Sequence, residues 1–513
     1  MRFAPLVFLA ACGARSGLLV CLGDEGAGDG PLVLHEDGAI PGVSFQVEIQ
    51  TIAQVDLLVL VDNSPSMREE QANLTANFAD LVSALVAPPD EDADGEADWH
   101  AVESLHVGVV TPDMGTSGYP IQTCDNAERG DDGVLQNLPA AGMITCESTY
   151  PKFLEFDAIA GDDPIGFSDD FSCIATLGDG GCGFEQQLFA VEKALTVHAV
   201  PGGANDGFLR PDALLAVLIM TDEDDCSIAD PAIFGDDDSL GPLNLRCFAN
   251  SEMVRPVEEF VDSILSAKPF GAGWTVIAAI TGVPPDLVAL TDAELDAGDL
   301  QDDADYRRIL GDERMMETID YSPEGGGNRL IPSCDVPGLG IAFPPRRIVE
   351  LVQQAEQAGA SGVVQSICQA DWAPTMRAIS HLVWRQLTTP GCLRPETRAR
   401  IGFEVQPGDV VPCAVYEALP DARDCRGPAR IDRGVVDGRR ICQICQKGEA
   451  SRGLDAFGLD VSTCPEDPGW SIDLDSAACS QGELVFGSGA GGEARPVGEA
   501  TVYFECTCTP TFG

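Results

Sequence analysis

Basic residues are scarce in this sequence. Thirty Lys and Arg stand against 83 Asp and Glu in 513 residues, giving a formal charge of -53 and a pI near 4.1. Such a surface repels polyanions, which excludes nucleic-acid binding and adhesion to anionic lipid, and it favours cations. Histidine is rarer still. The five, His35, His100, His106, His198 and His381, are dispersed. Neither a G-x-S-x-G elbow nor an H-E-x-x-H helix occurs, so a metal-dependent hydrolase is the least supported reading, with only Asp or Glu left for general acid/base work. Beyond the N-terminus no apolar run approaches the roughly 20 residues that span a bilayer.

Cysteine, by contrast, is abundant. Nineteen cysteines, most at wide spacings, point to disulfides and an oxidising compartment instead of cytosol. At the N-terminus Arg2 precedes the apolar run "FAPLVFLAA", and Leu9-Ala10-Ala11-Cys12 resembles the lipobox of bacterial lipoproteins. That resemblance implies that residues 1–11 are a signal peptide, that Cys12 carries lipid, and that the chain is displayed at the cell envelope, on the outer membrane or cell surface. Eighteen cysteines would then remain, an even number. A plain signal peptide is the alternative. Membrane attachment is expected only through the N-terminal lipid.

Composition divides the rest. Residues 12–48, with "GDEGAGDGP", read as a flexible tether. Residues 49–388 alternate apolar runs with amphipathic stretches. Strands are expected at "VDLLVLVD", "LHVGVVT", "LLAVLIMTD", "WTVIAAITG" and "GVVQSIC". Between and after them, helices are expected at "EEQANLTANFADLVSAL" (Leu74, Phe78, Leu81, Val82 and Leu85 at helical spacing), "FEQQLFAVEKAL", "MVRPVEEFVDSIL", "RRIVELVQQAEQAG" and "WAPTMRAISHLVWRQL". Strands apolar throughout and separated by helices predict an α/β fold, a doubly wound and mostly parallel sheet covered on both faces. Insertions at 112–180 and 284–344 interrupt this rhythm with Gly, Asp and Cys. Residues 389–513 hold nine cysteines, short candidate strands such as "RARIGFEV" and "ATVYFECTC", and no long helix, which predicts a disulfide-rich, mostly β region.

Two strand ends carry the chemistry. "VDLLVLVDNSPSM" closes on Asp62, Ser64 and Ser66, and "LLAVLIMTDEDD" closes on Thr221 and Asp222. In an open α/β sheet, ligands bind outside the carboxyl ends of the strands near the topological switch point. Hydroxyls and carboxylates gathered there suit hard cations, Mg²⁺, Mn²⁺ or Ca²⁺. Helix N-capping is the alternative role for either serine.

Asp62-Asn63-Ser64-Pro65-Ser66 resembles the D-x-S-x-S signature of the von Willebrand factor A domain, also met as the integrin I domain. The resemblance spans roughly residues 50–388 and implies a Rossmann-like fold with a metal-ion-dependent adhesion site holding Mg²⁺ or Mn²⁺. It implies Ser64 and Ser66 as direct ligands, Asp62 and Asp222 as nearby charge, and a partner, protein or glycan, that offers a carboxylate. One departure is plain. Where the family places a threonine, this chain has "GDGGCGFEQQLFAVEKAL", with Cys182 near that position. Either the ligand is absent or Glu185 supplies a carboxylate, which would weaken the pull on an acidic partner. Glu185 could equally begin a helix and favour its dipole.

Other motifs carry less. Asp90, Asp92 and Asp94 with Gly95 match the opening of a calcium loop, and Asp98 falls at its ninth position, but Ala101 stands where the closing Glu belongs. A solvated acidic loop is the alternative. Glu223, Asp224 and Asp225 extend the charge after Asp222, bind a second cation, or form an ordinary charged loop. Cys226 and Cys247 are disulfide candidates across an acidic loop. Cys442-Gln443-Ile444-Cys445 is expected to be structural instead of redox-active. Arg129-Gly130-Asp131 spells a tripeptide that integrins recognise, on three residues only. The expected function is a non-enzymatic, metal-dependent binding or adhesion module on the envelope; the alternative is an envelope scaffold whose metal only stabilises loops.

Overall fold

A computed structural model describes residues 11–14, 17–20, 43–49, 54–68, 82–88, 101–102 and 104–388, except 159, 212, 270, 292–293, 296–299, 323–325, 338–339 and 370–371. Toward the C-terminus it describes 410–411, 413–419, 424–425, 429–436, 439–455, 459–465, 469–473, 483–489, 492–493 and 501–508. The chain divides into two compact units, Ile52–Leu387 and a second made of residues 1–51 with 388–513.

In the unit Ile52–Leu387 six strands form one sheet. Taking Val43–Ile49 of the other unit as β1, they are β2 (Gln54–Val61), β3 (Ser104–Val110), β4 (Leu154–Asp157), β5 (Leu214–Met220), β6 (Thr275–Thr281) and β7 (Ser361–Ser366). The spatial order is β7-β6-β5-β2-β3-β4. All neighbours run parallel except β4, an antiparallel edge strand against β3. The sheet is thus mixed but mostly parallel, as its sequence predicts. β5 and β6 are buried along their whole length, whereas β4 alternates buried and exposed residues. That difference separates a strand covered on both faces from an edge.

Helices α1 (Pro164–Ala175), α2 (Gln187–Leu195), α3 (Val257–Ser266), α4 (Asp303–Gly311), α5 (Arg346–Gln357) and α6 (Ala373–Thr388) accompany the sheet. Ile348, Val349, Leu351, Val352 and Ala355 of α5 enter the same core as Phe260, Val261 and Ile264 of α3. Of the helix expected over 69–85, residues 82–86 are helical with Val82 and Leu85 buried; Leu74, Phe78 and Leu81 lie outside the described residues. Strand β4 and helices α1 and α4 lie inside the two insertions, where Gly and Asp had obscured the pattern. Disulfides tie these excursions down: Cys124–Cys182 and Cys146–Cys173 around the first, Cys334–Cys368 at the end of the second.

Charge is also buried at the amino end of the sheet. Asp56, inside β2 and fully buried, accepts from the Arg210 backbone at 2.7 Å, from Arg210 Nε at 2.8 Å and from Lys268 Nζ at 3.0 Å. Lys268 also donates to the Arg210 carbonyl at 2.6 Å. Buried charges persist only when paired and hydrogen-bonded in this way.

The other unit is built on an antiparallel sheet. With β8 (Cys413–Leu419), β9 (Arg430–Val436), β10 (Arg439–Ile444) and β11 (Thr501–Cys508), its order is β9-β10-β8-β11-β1. β1 falls in the stretch read as tether; the alternation of Val43, Phe45, Val47 and Ile49 gives it strand periodicity, and it pairs with β11. "RARIGFEV" lies outside the described residues. Cys442 pairs with Cys425 and Cys445 with Cys464, so the two cysteines of the C-x-x-C motif have different partners and act as separate staples. Trp470 anchors the core beneath them, edge-on to Phe504 at 5.7 Å.

Replacing Asp56 by Ala leaves Lys268 buried without its counter-charge. The α/β unit should lose about 3–5 kcal/mol, read as a lowered urea midpoint; a loss near that of a neutral surface change would contradict the pairing argument.

Candidate functional site

The strand order reverses between β2 and β5, because β3 and β4 lie to one side of β2 while β5, β6 and β7 lie to the other. This is the topological switch point of a doubly wound sheet. Asp62 and Asp222 stand just past the carboxyl ends of these two neighbouring strands, and the Asp62 N–H donates to the Met220 carbonyl at 3.0 Å. Both side chains are fully buried.

Hydrogen bonds join the motif residues across this seam. Asp62 Oδ1 accepts from the Ser64 backbone at 2.8 Å and Asp62 Oδ2 from Thr221 Oγ1 at 2.6 Å. Ser64 Oγ and Ser66 Oγ lie 2.9 Å apart, and Ser66 Oγ donates to Asp222 Oδ1 at 3.2 Å. Ser64 precedes the short 3-10 turn Pro65–Met67 but makes no capping bond with its side chain. Among the described residues the two hydroxyls are thus engaged with each other and with the Asp222 carboxylate.

Glu185 joins the same cluster. The glycine-rich loop before it docks on the Asp62–Ser66 segment: the Gly181 N–H donates to the Asn63 carbonyl at 2.6 Å, and a Cβ at 181 would sit 2.8 Å from that carbonyl oxygen. A larger residue would push the two segments apart. Cys182, near the place the resemblance gives to threonine, is bonded to Cys124. Three residues on, Glu185 is held by its backbone between the loops after β3 and β5, bridging Asp113 and accepting from the Cys226 N–H at 2.9 Å. Its side chain is only 4% exposed. Helix α2 starts later, at Gln187, with no acidic residue in its first turn. Asp225 and Ser227 bond its first N–H groups, to Leu188 and Phe189 at 2.9 Å each. Glu185 is not part of the helix start.

The acidic run after β5 divides its labour. Asp222 meets Ser66. Glu223 faces Glu185, whose hydrogen bond it shares. Asp224 accepts from the Arg347 N–H at 3.0 Å at the start of α5, and Asp225, besides capping α2, pairs with the Arg347 guanidinium at 3.0 Å. Sequence reasoning had no means of assigning these separate jobs. It also missed Gln187, whose Nε2 donates to Thr221 Oγ1 at 3.0 Å and so helps hold the hydroxyl on Asp62.

Electrostatically the cluster is one-sided. Burial first, then Glu223, Asp62 and Asp222, raises the Glu185 carboxyl well above the usual range. Burial and Asp62 push Glu223 up to about 7, against an opposing hydrogen bond from Glu185, and burial raises Asp62. Repulsion between buried carboxylates is what a divalent cation relieves, and the donors are hard oxygens throughout. This donor set fits Mg²⁺, Mn²⁺ or Ca²⁺ only with its serines. Among the described residues no three His, Cys, Asp or Glu side chains converge on a metal position by themselves.

The remaining candidates lie elsewhere. Asp90, Asp92, Asp94 and Asp98 fall outside the described residues. Cys12 falls in a short hairpin, Ala11–Ala14 against Gly17–Val20, of which only the backbone is described. Cys226 and Cys247 form a disulfide. Asp131 of the Arg-Gly-Asp tripeptide accepts from Thr111 Oγ1 at 2.6 Å and its N–H donates to the Asp113 carbonyl, so the aspartate serves its own loop. His106 and His198 stand beside Asp56 and Asp132, away from this seam.

No family model matches the chain, and no curated protein does. Among solved structures it is similar to proximal thread matrix protein 1 from the mussel byssus, at 13% identity and TM-score 0.22 over 44% of this chain and 38% of that one. It is also similar to the human COPII-coat protein Sec24c, at 8% identity and TM-score 0.28, over 91% and 46%. A third is the pilus adhesin SpaC from Lactobacillus rhamnosus GG, at 9% identity and TM-score 0.26, over 92% and 42%. The aligned parts cover less than half of each of these chains. Scores this low carry no argument about function.

A raised carboxyl favours folding in its protonated form. That contribution is complete below the ordinary value near 4.5 and is lost as pH climbs through about 7. In chelator, the thermal midpoint should therefore fall between about pH 5 and about pH 8, and Glu223→Gln should flatten the fall. An unchanged slope in that variant would place the titration elsewhere.

Proposed function

We propose that the chain is an exported binding module that works with a divalent cation, its α/β unit being a domain of the von Willebrand factor A type. The observation that carries this is the seam itself: Ser64 and Ser66 hydroxyls joined to each other and to Asp222, and set beside Asp62 at the switch point of a doubly wound sheet. Ser64 and Ser66 would hold Mg²⁺ or Mn²⁺ directly, with Asp62, Asp222 and Glu185 supplying charge around it. When bound, the ion supplies a positive centre with room for an outside ligand. The six described disulfides support secretion, since such bonds persist in oxidising surroundings. In this reading the lipid on Cys12 displays the module at the cell envelope, where it meets a protein or glycan partner.

A second reading has its own support. Asp224 and Asp225 fasten the loop after Asp222 to the starts of α5 and α2, so an ion there would also lock loops in a structural scaffold that captures no partner.

Calorimetric titration of the purified chain with Mg²⁺, Mn²⁺ and Ca²⁺, against Ser64→Ala/Ser66→Ala, tests the ion. One site should vanish in the double variant, with affinity for the preferred ion down by about 10-fold or more. Equal ion counts in both proteins would reduce the serines to loop residues and remove the metal reading.

A further inference from the structure

A cleft of about 660 Å³ opens beside the seam, within the size range of ligand pockets. Ser66, Glu185, Glu223, Phe184 and Phe343 are among its lining residues. So are Leu243 and Phe248, 39% and 36% exposed, on a segment fastened by the Cys226–Cys247 bond. The cleft thus joins apolar surface to acidic side chains.

The charge of the cleft decides what fits. Its three arginines are already engaged: Arg347 with Asp225, Arg346 with the Leu310 and Met315 carbonyls at 2.9 and 3.0 Å, and Arg329 with Asp320. Against those three arginines stand six carboxylates in the lining, those of Glu185, Glu223, Asp224, Asp225, Glu317 and Glu350. The acids outnumber the bases, so an incoming carboxylate meets repulsion.

We infer that the cleft receives a basic side chain, Lys or Arg, from a protein partner, its aliphatic stem along Phe184, Phe343 and Phe248 and its cationic head toward Glu185 and Glu223. Long basic side chains lie on apolar walls in this manner while their charge reaches polar ground, and an aromatic face adds attraction for the cation. The formal charge of -53 would draw such a partner from a distance. The inference rests on the seam being a binding site, but not on the ion, since the excess of acids over bases in the lining does not depend on it.

The test uses the full chain with three acetylated, amidated tripeptides, Leu-Lys-Leu, Leu-Gln-Leu and Leu-Glu-Leu, in Mg²⁺ and again in chelator. The lysine peptide should bind about 10-fold or more tighter than the glutamate peptide, with the gap narrowing as salt rises. Glu223→Gln should shrink that gap. Phe248→Ala, at a partly exposed position, should weaken the lysine peptide while leaving the thermal midpoint close to that of the parent chain. Equal binding of all three, or preference for the glutamate peptide, overturns the inference. Ion titration of the same samples keeps the two readings apart. Lysine preference without a bound ion upholds the cleft and removes the metal; a serine-dependent ion with glutamate preference does the reverse.

Discussion

Mutual repulsion among carboxylates at one buried edge is the constraint around which the α/β unit is arranged. Asp62 and Asp222 arrive there because β2 and β5 are neighbours, and Glu185 and Glu223 are added to them. Like charges in a poorly hydrated place push loops apart unless something holds the loops. Here the holding is done by the backbone and by bonds outside the cluster. Gly181 lies against Asn63, Cys182 is tied to Cys124, Cys226 to Cys247, and Asp225 grips both α2 and Arg347. Phe184, Phe234 and the two disulfides form a small apolar cluster of their own under these loops. The cluster is stable as a geometry even though its charges oppose it, and that is the condition in which a cation, or a partner's basic group, gains most on entering.

The same logic explains the division of the acidic run. A loop of four consecutive acids would be a poor folding element if all four faced one point. Two of them are consumed as caps, where the positive ends of helix dipoles and a guanidinium offset their charge. Two remain for the seam. The opposite end of the sheet shows the other solution to buried charge: Asp56 is held between Arg210 and Lys268, each within 3.0 Å. At one end a buried carboxylate meets cations; at the other it meets further carboxylates.

Much of this was legible in the residues. Fully apolar strands alternating with amphipathic helices announce a covered parallel sheet, because a strand with two buried faces has no polar side to show, and the five such strands appear where the pattern puts them. The insertions were harder. β4, α1 and α4 carry Gly, Asp and Pro at their ends, which read as loop, and β1 was lost in an acidic, glycine-rich context despite its alternation. The C-x-x-C motif was expected to be structural, and its two cysteines are staples to different partners.

By itself the sequence determined the class of the chain: its acidity, its disulfides, its α/β and β parts, and the polar residues that end two apolar strands. These follow from composition and period, which are local properties. Only the tertiary structure decided that those two strands are adjacent, that Ser66 meets Asp222, that Glu185 faces the seam and Asp225 does not. Such outcomes depend on strand order and on contacts between residues more than a hundred positions apart, as with Ser66 and Asp222. No local pattern encodes a distance of that kind.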